Sequence, residues 1–277
     1  METNAPLLRK VICAAVISLA FAGCSTPFDK AKDTPLVKLN DNYVSLISGV
    51  PTLYVVMASA VIVAPGIAVT NGHVLDAADS YSGHTASGKM FTVGVVGRSD
   101  RMDLVVLKVP GEVGRPFAWG RPRMAERVWA MGTTNAMHEP VAAGRVVAVD
   151  GWACEKLAAA SDRRQGPARC DSPVFHGIMY EAEGGPGYSG GPLVNSEGRL
   201  LGITQGTYFE VLDDDGRPAE DKPRKMFAYH IIDVLAEARR LIVTQPANLT
   251  PEEARPALIY LDRVLAAANL QSASLKR

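Results

Sequence analysis

The chain has 277 residues, with 29 basic against 29 acidic side chains and no Lys/Arg run longer than two. That balance excludes an electrostatic footprint for nucleic acid. A composition that is 47% apolar, with 25 Gly and 18 Pro, is that of an ordinary globular chain and not of a disordered or low-complexity one.

Arg9 and Lys10 precede an apolar run, Val11 to Ala22, broken only by Ser18. Twelve residues are too few to cross about 30 Å of hydrocarbon as a helix, so residues 1–23 read as a signal peptide. The run ends Phe21-Ala22-Gly23-Cys24, which resembles the bacterial lipoprotein box, apart from Phe21 where Leu is usual. The resemblance implies that Cys24 carries lipid as the first mature residue. Ser25 behind it implies the periplasmic side of the outer membrane. A plain secretory signal with an incidental cysteine is the other reading. Both export the chain, and in an oxidising compartment Cys154 and Cys170 read as a disulfide pair rather than metal ligands. Closing that loop is worth about 3 kcal/mol on the chain-entropy account.

Residues 24–42 lack periodicity and read as a tether. From Tyr43 onward, short runs rich in Val, Ile, Tyr and Phe alternate with turn residues. The predicted strands are Tyr43–Ile47, Leu53–Val63, Ile67–Thr70, Phe91–Val96, Leu104–Val109 and Val128–Met131. Val141–Val149, Ile178–Glu181, Leu193–Val194, Leu200–Thr204 and Phe227–Tyr229 follow. About eleven short strands with no long helical pattern before residue 230 imply barrels or a sandwich. A helix is predicted over Ile231–Val243, with Ile231, Val234, Leu235 and Leu241 on one face. A second begins at the capping box Thr250-Pro251-Glu252-Glu253, and Pro256 is expected to kink it or delay its start. The boundaries expected are therefore 1–23 signal, 24–42 tether, 43–244 folded domain and 245–277 helical extension.

Three segments carry chemistry. The first, Val69-Thr70-Asn71-Gly72-His73-Val74, delivers a His from a strand end. In the second, Asp103-Leu104-Val105-Val106-Leu107-Lys108, an Asp opens an apolar strand. Glycines frame a single Ser in the third, Gly187-Tyr188-Ser189-Gly190-Gly191-Pro192-Leu193. Acyl transfer needs these types together. A serine hydroxyl is a weak nucleophile until a neighbouring base takes its proton. An imidazole can do so at neutral pH, which implies activity rising through about pH 6 to 7.5. A buried carboxylate fixes the imidazole tautomer, and preorganised N–H groups must receive the oxyanion. The N–H groups of Gly187 and Ser189 are the expected oxyanion donors, because the flanking glycines leave the backbone open. Asp100 competes with Asp103 for the acid's role, but Asp103 opens the strand directly. The other histidines, His84, His138, His176 and His230, lack metal-ligand spacing, and neither a metal nor a cofactor is expected.

Together the three segments, in the order His, Asp, Ser and 30 and 86 residues apart, resemble those of trypsin/chymotrypsin-fold serine peptidases. They stand nearer the bacterial HtrA/Deg branch than digestive trypsins. The likeness extends through Arg127–Thr133, Gly144–Val149 and Gly202–Gly206. It implies a mainly β fold of two six-stranded antiparallel β-barrels with C-terminal helices. It further implies a catalytic triad of His73, Asp103 and Ser189 acting on protein or peptide substrates. Thr204, Gln205 and Gly206 resemble the strand that pairs with substrate backbone. Glu183, six before the Ser, lies where trypsin has its pocket acid; the other reading is a solvated loop acid.

Two departures stand out. No PDZ domain is expected after the helices. Tyr188 also replaces the acid that in trypsins pairs with a freed N-terminus, so activation by that route is not expected. A bulky neighbour of the nucleophile is also the best support for the alternative function, a catalytically silent lipoprotein used for binding or scaffolding.

Overall fold

A computed structural model describes residues 42–49, 55–76, 80–85, 87–133, 141–154, 174–209, 225–245 and 248–274. The tether apart from Asn42, Cys24 and Cys170 lie outside the described residues, while the Cys154 backbone ends a strand. In chain order the strands are β1 (Tyr43–Gly49), β2 (Val55–Ala64), β3 (Ile67–Thr70), β4 (Ser82–His84), β5 (Met90–Thr92), β6 (Gly94–Arg98) and β7 (Val105–Lys108). β8 (Arg127–Met131), β9 (Val141–Cys154), β10 (Val174–Ala182), β11 (Pro192–Asn195), β12 (Leu200–Phe209) and β13 (Lys225–His230) form the second half. The helices are α1 (Gly72–Leu75), α2 (Ile231–Thr244) and α3 (Pro251–Ser274).

The fold is mainly β, as expected, with helices at its C-terminal end. The second half closes into a six-stranded antiparallel barrel, β10-β13-β12-β11-β8-β9. The first half, the other expected barrel, is a sheet of seven strands, β5-β4-β1-β2-β3-β7-β6. Its two edge strands, β5 and β6, are separated in sequence by Val93 alone. A sheet whose opposite edges are joined by one residue must curl until those edges meet, so it is barrel-shaped without a closing ladder. The predicted strand Phe91–Val96 is thus two strands that part at Val93-Gly94.

Alternation along the central strands explains the two-sided burial. In β2, Ala58, Ala60 and Ile62 point into the first barrel with Val44, Leu46, Ala68, Val105 and Leu107. Val61 and Val63 point the other way and join Tyr43, Val69, Val106, Trp129, Met131, Ile203, Phe227 and Tyr229 between the two halves. A third cluster, with Ile178, Tyr180, Leu193, Leu201 and Met226, fills the second barrel. The buried face of α2 and residues Ala257 and Leu261 of α3 extend the central cluster, so the helices seal the seam between the halves.

The capping box is made as the sequence implies. Glu253 accepts from the Thr250 N–H at 3.0 Å and the Glu253 N–H donates to Thr250 Oγ1 at 3.3 Å. Pro256 does not delay α3, which starts at Pro251 and runs through it. Pro256 lies in the second turn on an exposed face, where a missing backbone donor is answered by solvent. No described helix is long and apolar enough to cross a membrane.

Candidate active site

His73 is carried by α1, a single turn that begins as β3 ends. Its imidazole is half exposed (49%), and its Nδ1 lies 2.5 Å from Oδ2 of Asp103, whose side chain is 11% exposed. Oδ1 of the same carboxylate accepts the His73 backbone N–H at 2.9 Å. Two contacts to one residue fix both the position and the roll of the ring. Gly72 permits this: a Cβ there would stand 2.7 Å from Asp103 Oδ1. The backbone of Asp103 is held as well, because Asn71 Nδ2 donates to its carbonyl at 2.9 Å and its own N–H donates to the Tyr229 hydroxyl at 3.2 Å.

Asp100, the competing acid, faces elsewhere and accepts from Arg240 of α2 at 2.6 Å. Burial pushes the Asp103 carboxyl up. The hydrogen bonds from the His73 ring and N–H and from Gln205, together with attraction to the imidazole, outweigh it and hold the group below the usual carboxylate range.

Ser189 sits on the turn before β11 and reaches the same place through Gln205. The Ser189 hydroxyl donates to the Gln205 carbonyl at 3.1 Å, and the Gln205 side-chain amide donates to Asp103 Oδ2 at 3.3 Å. The ladder explains how one residue does both. In β12–β13, Thr204 pairs with Ala228 and Gly206 with Phe227, so Gln205 is an extra, bulged residue. A bulge takes a residue out of the ladder and re-aims it. No period-2 pattern in the sequence reveals it, and Gln205 therefore lies against the acid as well as on the expected binding strand.

Gly187 and Gly190 take the left-handed region, with φ of +95° and +80°. Among the described residues, the N–H groups of Gly187 and Ser189 have no acceptor, while those of Tyr188, Gly190 and Gly191 are taken by Gly185, Thr204 and Tyr188. Tyr188 is turned away: its side chain is 1% exposed, inside the second barrel. The space comes from Gly132, where a Cβ would lie 2.7 Å from the Tyr188 ring.

The remaining predicted positions divide. The Thr204 N–H and carbonyl are committed to Gly191 and Gly190, and its hydroxyl to Tyr180, so Thr204 frames the serine turn. Gly206 borders open space. Glu183 is exposed, and beside it Gly184 backs onto the Met226 side chain. Asn71, Gly72, Tyr229 and the bulge were not anticipated from the sequence. The pair Asn71-Gly72 ahead of His73 was the available signal.

A His–Asp pair held just beyond β3 and just before β7, with a glycine-framed Ser on the turn before β11, defines a serine-hydrolase-type site. Residues 58–203 match the trypsin-like peptidase domain, and the chain belongs to that family. It is 29% identical over 142 residues to the serine endoprotease DegS of Escherichia coli K12, covering 50% of this chain and 36% of that protein. It is 30% identical over 148 residues to Protease Do-like 1, chloroplastic, of Arabidopsis thaliana, covering 52% and 31%. The chain thus spans about a third of the length of these curated relatives. Among solved structures, an inactive form of Rv3671c from Mycobacterium tuberculosis H37Rv superposes with a TM-score of 0.58 at 19% identity, over 80% of this chain and 97% of that one. At that identity the likeness is one of fold.

Proposed function

We propose that this protein is a serine endopeptidase that cuts peptide bonds through an acyl-enzyme, with Ser189 as nucleophile, His73 as general base and acid, and Asp103 as the orienting carboxylate. The observation that carries the reading is the convergence on Gln205. Three residues from distant segments come together because one bulged residue touches both the Asp103 carboxylate and the Ser189 hydroxyl. Membership of the trypsin-like peptidase family supports the same reaction class.

A rotation about the Ser189 Cα–Cβ bond carries Oγ from the Gln205 carbonyl toward the imidazole. The ring's free Nε2 takes the hydroxyl proton as Oγ attacks the scissile carbonyl carbon. The carbonyl electrons move onto its oxygen, which the Gly187 and Ser189 N–H groups receive. Collapse breaks the C–N bond, and the imidazolium gives its proton to the leaving amine. Water then repeats the sequence on the ester and restores Ser189. Asp103, bonded to Nδ1 throughout, keeps the ring in the tautomer that leaves Nε2 free.

An unfolded protein such as casein, incubated with the purified chain, is expected to yield new internal termini by mass spectrometry, and Ser189→Ala is expected to yield none. Cleavage that persists in Ser189→Ala, or no cleavage by the folded wild type, overturns the reading. Tyr188, the support for the silent binding alternative, packs its ring inside the second barrel.

The finer reading is an exported enzyme tethered by lipid on Cys24 at the periplasmic face of the outer membrane, with a Cys154–Cys170 disulfide and with Gln205 and Gly206 bordering the bound peptide. Cys24→Ala is expected to move the protein from the membrane pellet to the soluble periplasmic fraction. Retention in the pellet contradicts lipid anchoring.

A further inference from the structure

A buried polar cluster lies between the two halves, where the surrounding packing is apolar. Tyr43, Ser45 and Ser59, from β1 and β2, meet Thr133 at the end of β8, and all four are buried. The Ser59 hydroxyl is its hub. It lies 2.8 Å from the Tyr43 hydroxyl and accepts the Thr133 backbone N–H at 2.9 Å. The Tyr43 hydroxyl also bonds Thr133 Oγ1, which donates to Ser45 Oγ at 2.8 Å. Desolvating this many hydroxyls is unfavourable unless each is satisfied, so the cluster is a specified feature and not packing filler.

The cluster ends on the serine turn. Ser59 Oγ donates to the Gly187 carbonyl at 2.7 Å, and the Thr133 N–H reaches the same oxygen at 3.1 Å. The Ser59 backbone N–H donates to the Ser189 carbonyl at 3.2 Å. One residue of the first half therefore grips the turn of the second at both Gly187 and Ser189, the two residues whose N–H groups are the proposed oxyanion donors.

We propose that Ser59 is a positioning residue for oxyanion stabilisation, acting through the Gly187 carbonyl; this rests on the endopeptidase reading above. Gly187 at φ +95° has no side chain to hold its conformation, and glycine moves between backbone basins at little cost. Pinning its carbonyl with two donors fixes the 187–188 peptide plane, which lies between the peptides carrying the Gly187 and Ser189 N–H groups, and so holds the direction of both. The transition state needs that direction more than bound substrate does, because negative charge develops only there.

The test compares wild type with Ser59→Ala, Ser59→Cys and Tyr43→Phe, using a chromogenic peptide and a peptide boronic acid. The boronate forms a tetrahedral anion on the serine and reports the oxyanion site directly. Ser59→Ala is expected to lose about 10- to 100-fold in kcat, with KM changed less than about twofold and boronate affinity weakened in proportion to kcat. Ser59→Cys, close in volume but a weaker donor, is expected to fall between. Tyr43→Phe removes a hydroxyl of the same cluster without touching Gly187 and controls for stability loss. It is expected to lower the melting temperature comparably while kcat falls less than about threefold.

Wild-type kcat in Ser59→Ala, or an equal kcat loss in Tyr43→Phe, overturns the proposal. Should Ser59→Ala not fold, wild-type kcat and boronate affinity in Ser59→Cys overturn it alone. A wild type that neither turns over the peptide nor binds the boronate instead overturns the endopeptidase reading, so the two failures are separable.

Discussion

Asp103→Asn is expected to lower kcat by about four orders of magnitude while leaving the chain folded. Asparagine preserves the shape of the side chain and can still accept the His73 backbone N–H that now bonds Oδ1 at 2.9 Å. Its other group would be an NH2 facing Nδ1, which drives the imidazole into the tautomer with its proton on Nε2. That nitrogen then cannot receive the serine proton. Stopped-flow acylation by an activated ester measures the loss directly, and a fall of less than tenfold would contradict the orienting role.

The same variant reports on acid stability. The Asp103 carboxyl is held below its ordinary value, so the folded state favours its ionised form. A depressed carboxylate contributes stability that is present above the unfolded value of about 3.9 and is lost as pH falls through the folded value. The gap in melting temperature between wild type and Asp103→Asn should therefore hold from pH 7 to about pH 5 and narrow below about pH 4. A gap independent of pH over that range contradicts the assignment.

Gly190→Ala is expected to cost about 2–5 kcal/mol and to abolish activity. Two effects add. An alanine at φ +80° is strained by about 1–2 kcal/mol. Its Cβ would also stand 2.1 Å from the Ser59 carbonyl oxygen and 2.3 Å from Thr70 Oγ1, both belonging to the first half. Backbone cannot yield as a flexible side chain can, and overpacking adds about 1–3 kcal/mol. The serine turn then either moves or the halves part along their seam. Gly88→Ala is the matched control, because φ there is +82° and a Cβ meets nothing within 4 Å. Chemical denaturation of both variants distinguishes them; equal stability would show that the close approach at Gly190 is not constraining.

Much of this architecture is legible in the sequence because burial on both faces of the central strands leaves near-continuous apolar runs, as in β2 and β7. One of the shortest strands escapes: Ser82–His84 contains no β-branched or aliphatic residue. The parting of β5 from β6 depends on where a sheet must turn, which no local preference encodes. At the site, the three segments announce His73, Asp103 and Ser189 by residue type and order. Their supports do not announce themselves. The placement of Gln205 follows from a bulge, and the contacts of Ser59 from two halves meeting. A lone Ser within the apolar run of β2 was nonetheless a signal, since such a group is buried only with partners. Tyr188 shows the reverse. Its neighbour in sequence is the proposed nucleophile, but its ring belongs to the barrel interior, where Gly132 makes room for it.

The most direct measurement is labelling of the folded protein with a fluorophosphonate, which bonds to a serine oxygen only when a base and oxyanion donors stand beside it. One adduct per chain, mapped by peptide mass spectrometry to Ser189 and absent from Ser189→Ala and His73→Ala, is the predicted result. No adduct on folded wild type, or an adduct that survives in Ser189→Ala, contradicts the account.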